Sequence, residues 1–377
     1  MTMIKALFVS PGASAYGSAR SMLNLLRVRQ FDAEVVCPGR GALEREVREL
    51  GIKHHQLEFG KYSLRQNPPW HLAFYRHFRR ILRMSRPDVL VINLDGNTPL
   101  LTLAAVLAGI PIIRFSRFEF RVPSRWLDRW CWLKASAILC PTDWVKQQVL
   151  AWVPKDFHGC VHRFYEVGSE PAVLPEQTAA FRMEFALAND KIIGYVGRMD
   201  RNKRIETAIE ALAIVRQQVP NVRLLIVGGF SGSPDEVAYK MKLELLASQL
   251  GIASHVTFTG YLNHDLVSQA ISTFHVGVLP SESESFGLVL VEAWALRVPT
   301  VASDVSGCRE ITLASGGGEL CPVGDSACFA KCISGLLRDS ACAEAMGVSG
   351  RHWVREECSG NQYAERFLKV LKDVSNR

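Results

Sequence analysis

The chain has 377 residues, 44 of them Lys or Arg and 37 Asp or Glu, for a net charge of +7; at ~150 residues per domain that is two domains or three. Apolar residues make up 48% and charged ones 21%, which excludes a disordered chain, a collagen-like fibre and a coiled-coil rod. All the excess positive charge lies in residues 1–170, with 24 basic against 14 acidic residues and 13 against 4 within 61–134, which points to an anionic partner: a phosphate, a lipid surface or a nucleic acid.

The chain opens on a predicted strand, Ile4–Ser10, and a loop with Gly12 and Gly17, then an amphipathic stretch from Ala19 to Arg29. Its opening apolar run is too short for a signal peptide. Ala33–Cys37 reads as a strand, Ala42–Leu50 as a helix, Pro87–Asn93 as a strand, Leu100–Leu107 as a helix, and Pro111–Phe115 and Ser136–Cys140 as strands. The longest uncharged stretch, Gly96–Ile113, is broken by Pro99, Gly109 and Pro111 and so is not a membrane span.

After a loop-like linker, Glu166–Gln177, the alternation restarts. Strands are predicted at Lys191–Val196, Val222–Val227, Val256–Phe258, His275–Leu279 and Thr300–Ala302. Helices are predicted at Ile205–Gln217, Glu236–Leu250, Leu266–Ile271, Leu288–Leu296 and Asn361–Val374. Strands alternating with helices imply βαβ units, parallel sheets and two Rossmann-like domains with a cleft between them, where ligands bind beyond the carboxyl ends of the strands.

Two segments can carry chemistry. In Gly194-Tyr-Val-Gly-Arg-Met-Asp-Arg-Asn-Lys203 a strand ends and Arg198 and Lys203 precede a helix. Two cations beside helix-start amides suit a diphosphate, although the segment reads equally well as a solvated basic loop. In Pro280-Ser-Glu-Ser-Glu-Ser-Phe-Gly-Leu-Val-Leu-Val-Glu292 a buried strand runs through a polar turn into an apolar helix. Gly287 lets backbone approach a ligand, Glu284 and Glu292 can accept from hydroxyl groups, and amides near Phe286–Leu288 can hold phosphate oxygens. Glu284 also suits a simple helix cap, but Glu292, among Val289, Val291, Ala293 and Trp294, is a poor solvated-face residue.

Gly-Arg-x4-Lys at 197–203, Leu225-Ile-Val-Gly228, Gly260-Tyr-Leu262 and Glu284-x7-Glu292, in that order, resemble glycosyltransferase family 4. The resemblance is strong over about 190–330 and weaker before it. It implies an α/β GT-B fold with two Rossmann-like domains facing each other across a cleft: an N-terminal acceptor domain over 1–172, with 358–377 packing back on it, and a C-terminal donor domain over 180–355. It also implies a retaining, metal-independent transferase with a UDP- or GDP-linked sugar as donor and no cofactor, acting in polysaccharide or cell-envelope synthesis. By resemblance, Arg198 and Lys203 bind the diphosphate and stabilise the leaving group, Glu284 contacts sugar hydroxyls and Glu292 the ribose. Phe286, Gly287 and Leu288 offer amides, Gly228, Tyr261 and Leu262 lie near the donor and its base, and Gly17 approaches the diphosphate from the first domain.

The first domain departs from the pattern. Arg117 stands where the family usually has His, the glycines at 12 and 17 are not adjacent, and Phe164-Tyr-Glu-Val-Gly168 lacks the usual Asn-Gly. Arg117 or Glu119 is therefore the candidate sugar or acceptor contact. A sugar-nucleotide epimerase and an inactive nucleotide-sugar-binding homologue stay open as alternatives.

The remaining signals are weaker. The ten cysteines include no Cys-x2-Cys pair, the closest being Cys328-x3-Cys332, which reads as reduced cytosolic thiols rather than a disulfide scaffold or zinc site. His54-His55 reads as solvated, Cys308 as a packed thiol in a loop and Asp325 as a helix cap. Segments 70–86 and 117–134 interleave Trp, Phe and Tyr with Arg, which suits an anionic membrane surface as well as it suits a core face backed by solvated arginines. With both in the acceptor domain, the expectation is a lipid-linked or membrane-proximal acceptor and a chain peripheral to the cytoplasmic face of the membrane. No motif points to a nucleic acid.

Overall fold

A computed structural model describes residues 3–12, 17–59, 68–93, 99–117, 122–123, 125–168, 171–187, 189–229 and 232–375. The chain divides into two compact units, Met1–Val167 with Gly360–Arg377, and Gly168–Ser359.

The first unit runs β1 (Lys5–Val9), α1 (Ser18–Arg27), β2 (Asp32–Cys37), α2 (Ala42–Glu49), β3 (Lys53–Gln56), α3 (Pro68–Ser85), β4 (Val89–Ile92), α4 (Pro99–Leu107), β5 (Ile112–Phe115), α5 (Trp126–Leu133), β6 (Ala137–Cys140), α6 (Asp143–Leu150) and β7 (Val161–Arg163). Its seven strands pair in parallel in the order β3-β2-β1-β4-β5-β6-β7. Parallel strands covered on both faces are apolar throughout, as in Val89-Leu-Val-Ile92. Alternation still sorts them: Ala6 and Phe8 of β1 face one core while Leu7 and Val9 face Phe74, Phe78 and Ile81 of α3 on the other side.

The second unit runs α7 (Pro175–Glu184), β8 (Lys191–Val196), α8 (Ile205–Val215), β9 (Val222–Val227), α9 (Pro234–Gln249), β10 (Val256–Gly260), α10 (His264–Ser272), β11 (Val276–Leu279), α11 (Leu288–Ala295), β12 (Thr300–Ser303), α12 (Ser306–Ser315), β13 (Gly318–Cys321), α13 (Ser326–Arg338) and α14 (Ser340–Glu357). Its six strands are parallel in the order β10-β9-β8-β11-β12-β13. Leu224 and Ile226 of β9 face one core, and Leu225 and Val227 the other. Helix starts are set by capping side chains: Ser233 accepts from Glu236 N (3.3 Å), Asn263 from Leu266 N (2.9 Å) and Asp325, as expected, from Cys328 N (2.9 Å).

The last helix, α15 (Gly360–Ser375), belongs to the first unit. Its Phe367 ring lies 5.8 Å from Phe8 and 5.3 Å from Phe31, so α15 completes the core face under α1.

Three expectations are corrected here. Residues 306–310, read as a loop around Cys308, form the first turns of α12. His55 is not solvated: it is buried in β3 with Nε2 2.5 Å from the Glu34 carboxylate. In α3, Phe74, Phe78, Ile81 and Leu82 are core and Arg76, Arg79, Arg80 and Arg83 face solvent, so the aromatics of that segment offer little to a membrane.

Candidate functional site

In both sheets the strand order reverses next to the first strand, between β1 and β4 and between β8 and β11. Ligands in such sheets sit beyond the carboxyl ends of the strands at that reversal. In the second unit, β8 leads into Gly197–Lys203 and β11 leads into Pro280–Gly287, so both segments singled out in the sequence emerge side by side at the reversal.

The two loops are bonded to each other. Glu282 N donates to Asn202 O (2.8 Å), and Asn202 Nδ2 donates to Ser283 O (3.1 Å). The Lys203 ammonium forms an ion pair with the Glu284 carboxylate, both side chains about five-sixths covered at 15% and 16% exposure. Ser281 Oγ donates to the same Glu284 oxygen at 2.9 Å, and Gly307 N donates to Glu284 O at 3.0 Å. Sequence reasoning missed Asn202 and Ser281: neither residue type carries charge, and the partner of Asn202, Ser283, lies 81 residues away in the chain.

Arg198 is exposed and pairs with Asp200 at 3.0 Å. An exposed pair of this kind contributes about 1 kcal/mol or less, so a phosphate can displace the carboxylate. Beneath the loop, Tyr195 is fully buried and donates its hydroxyl to Arg198 O at 2.8 Å. Burial pushes the Tyr195 hydroxyl well up, with the Glu284 and Asp200 charges adding to the effect and Arg198 opposing it. The hydroxyl therefore stays protonated and holds the loop backbone as a donor.

Gly287 caps α11 in the left-handed region, with φ +93° and ψ 53°, a conformation that a side chain would strain. The first amides of α11 have no acceptor within the helix and face its start, where Phe286 is buried and Leu288 half-buried. Glu292 lies on the second turn of α11, half-buried. Cys308 packs against this turn, fully buried, and burial holds its thiol well above the usual range, Glu284 reinforcing the effect. It is a packed thiol.

Gly228 directly follows β9, and a Cβ there would come 1.9 Å from Gly197 O. The bare backbone lets the β8 and β9 loops touch. Its amide donates to Gly260 O at 3.2 Å, bringing Tyr261 alongside. Tyr261 is exposed at the end of β10, while Leu262 turns into the core with Phe181 and Ile271, so Leu262 acts there as packing. The structure thus brings Arg198, Lys203, Glu284, Gly287, Gly228 and Tyr261 to the carboxyl edge of one sheet.

In the first unit, Gly17 caps α1 beyond the end of β1, exposed, with φ +50°. Glu119 lies outside the described residues. Arg117 is buried: its guanidinium pairs with Glu166, donates to Asn93 Oδ1 through Nε (3.0 Å) and Nη2 (2.6 Å) and to Ser21 Oγ through Nη1 (3.2 Å), and lies 3.9 Å from the centre of the Phe115 ring. Asn93 Nδ2 in turn donates to Ser18 O at 3.0 Å. The residue standing where the family has His therefore ties the ends of β4 and β5 to α1 and to the segment after β7.

Cys321, Cys328 and Cys332 come together although their spacing argued against a thiol cluster. A strand end and a helix start supply the juxtaposition, which residue counting does not show.

Residues 177–353 match the model of the family described as glycosyl transferases group 1, and residues 17–157 that of the glycosyl transferase 4-like domain. The chain is 29% identical over 291 residues to the alpha-D-kanosaminyltransferase of Streptomyces kanamyceticus, covering 72% of this chain and 73% of that one. It is 29% identical over 204 residues to the GDP-mannose-dependent alpha-(1-6)-phosphatidylinositol monomannoside mannosyltransferase of Mycolicibacterium smegmatis, covering 52% of each. Its fold is shared with Anabaena Alr3699/HepE, solved in complex with UDP and glucose, at a TM-score of 0.84 and 18% identity over 98% of this chain and 99% of that one. The two models between them take in most of the chain, which belongs to the group 1 glycosyltransferases of glycosyltransferase family 4, enzymes of the GT-B fold.

Proposed function

We propose that this chain moves a sugar from a UDP- or GDP-linked donor to a lipid-linked or membrane-proximal glycan acceptor, with retention of configuration, in the synthesis of a cell-envelope polysaccharide. The observation that carries the reading is the joined pair of loops at the β8/β11 reversal, where Lys203 and Glu284 meet. As the anomeric C–O bond breaks, charge develops on the departing diphosphate. Arg198 and Lys203 neutralise it, and such stabilisation is usually the largest catalytic contribution. These two cations with the start of α11 supply the charge, so the reading assigns no metal ion to the transfer step. Glu284, already holding Lys203, accepts from a sugar hydroxyl, and Glu292 from the ribose. The acceptor attacks from the face the diphosphate leaves, and its proton passes to the leaving phosphate oxygen.

Arg117 serves this reading as a positioning residue rather than a sugar contact, since its guanidinium is buried on Glu166 and Asn93. The membrane-proximal acceptor is supported by surface composition. Trp126 at the start of α5 is 76% exposed and Leu107 at the end of α4 is 65% exposed, while α3 turns Arg76, Arg79, Arg80 and Arg83 outward. No helix among the described residues is long and apolar enough to cross a membrane, so contact would be peripheral.

Incubation with UDP- and GDP-sugars and polyprenyl-linked glycan acceptors, read by mass spectrometry, tests the transfer. A product heavier by one sugar, with the anomeric configuration of the donor by NMR, is expected; donor turnover without any glycosylated product contradicts it. Co-sedimentation tests the surface: binding to anionic liposomes above neutral ones is expected, and absence from both refutes it.

A further inference from the structure

Cys321 ends β13, whose carbonyl accepts from Asp304 N at 2.7 Å and whose backbone pairs with Ser303 of β12. The chain turns at Gly324, with φ +75°, and enters α13 under the Asp325 cap. Cys328 is the third residue of that helix and Cys332 lies one turn further along the same face. Cys321 Sγ is 2.6 Å from Cys328 Sγ and 3.7 Å from Cys332 Sγ, and all three sulfurs lie within 4.8 Å of one another. Among the described residues this is the single group of three or more ligand-type side chains so placed.

From this geometry we infer that Cys321, Cys328 and Cys332 form a structural site for a thiophilic divalent d10 cation, Zn2+ being the reference ion. A metal–sulfur bond of about 2.3 Å sets sulfur–sulfur edges of roughly 3.8 Å in a tetrahedral site. The Cys321–Cys332 separation already meets that edge, and the Cys321–Cys328 contact opens to it by rotation about the Cys328 side chain. Two of the ligands project from a capped helix and one from a buried strand end, so the site is rigid. Cys328 and Cys332 are half-buried and give the ion a path in from solvent. A bound cation supplies the charge that keeps its sulfur ligands as thiolates. On binding, three S–H bonds break, their protons pass to solvent, and each sulfur lone pair forms a metal–sulfur bond. No electron changes hands, and a water completes the fourth position.

The site braces the transferase machinery from behind. A Cβ at Gly324 would lie 2.9 Å from Nη2 of Arg204, the residue following Lys203. A loaded site therefore fixes the turn that supports the cationic loop. Its occupation does not depend on the transfer reading, because the test below reads metal alone.

The tag-free full chain, held reduced by a phosphine, is titrated with Co2+ and then with Zn2+. One Co2+ per chain is expected, with a near-ultraviolet sulfur-to-cobalt charge-transfer band that one equivalent of Zn2+ abolishes. Cys332→Ser is expected to weaken binding by about tenfold or more, whereas Cys342→Ser, at an exposed position, leaves it unchanged. Zn2+ is expected to raise the melting temperature of the parent chain and of Cys342→Ser but not of Cys332→Ser. The absence of a stoichiometric band, or equal affinity in Cys332→Ser and the parent chain, overturns the assignment. So does a Cys321–Cys328 disulfide that persists in reductant.

Discussion

Lys203 and Glu284 cannot be altered independently. In the proposed reading, removing the ammonium deletes a charge-assisted bond to phosphate, which contributes about 1.5–3 kcal/mol, or roughly ten- to a hundredfold in affinity. It also leaves the Glu284 carboxylate uncompensated beside the phosphate. Calorimetry is therefore expected to show nucleoside diphosphate binding weakened most in Lys203→Ala, with partial recovery in Lys203→Ala combined with Glu284→Gln. Strictly additive losses would show that the two side chains do not share the site. Arg117 offers a second case. Truncating it strands Glu166 in the first unit, so Arg117→Ala is expected to lower stability by about 3–5 kcal/mol in denaturant melts. Arg117→Met with Glu166→Gln is expected to cost less than the single change. At Gly228 the methyl of Ala would meet Gly197 O at 1.9 Å, so Gly228→Ala is expected to cost about 1–3 kcal/mol and to lower donor binding through displacement of the β8 loop.

Among the elements, β3 shows what the sequence conceals. Lys53-His-His-Gln56 carries no apolar residue, yet it is a strand because Glu34 of β2 organises it. That carboxylate sits 2.7 Å from Lys5 Nζ, 3.1 Å from Lys53 Nζ and 2.5 Å from His55 Nε2. Burial pushes it upward, but hydrogen bonds from Lys5, His55 and Lys53 prevail and hold it at about 2, below the ordinary 4.5. A group so depressed contributes stability above its unfolded value and loses it as pH falls towards the folded one. Up to about 3 kcal/mol is thus expected to disappear between about pH 4.5 and about pH 2, seen as a falling denaturation midpoint. Glu34→Gln is expected to flatten that fall. Helix α14 was hidden for a different reason. It carries Gly347 and Gly350, residues of low helix propensity, and a Cβ at Gly347 would lie 2.0 Å from Arg297 O and one at Gly350 2.7 Å from the Trp294 ring. They are there for close approach to α11 and the turn after it. The runs Lys191–Val196 and Val222–Val227, by contrast, were legible to the residue because strands covered on both faces must be continuously apolar.

For the whole molecule, composition and alternation were enough to imply two parallel α/β sheets. The order of Gly-Arg-x4-Lys, the strand-end glycines and Glu284-x7-Glu292 was enough to pick out segments that the structure gathers at the carboxyl edge of one sheet. What pattern could not supply was partnership. That Lys203 meets Glu284 and that Arg117 is consumed by Glu166 follow from crossovers the chain makes between distant strand ends, and that Cys321 meets Cys328 and Cys332 follows from the turn between β13 and α13. Surface behaviour was legible only in part, since the burial of Phe74 and Phe78 against the exposure of Trp126 depends on which helix face the sheet covers. The central claim is that the β8 and β11 loops together grip a nucleoside diphosphate. Isothermal titration of UDP and GDP into the parent chain and Lys203→Ala tests it most directly. One nucleotide is expected to bind the parent chain at one site, with affinity reduced about tenfold or more in the variant. Binding of neither nucleotide, or equal affinity in both proteins, would contradict it.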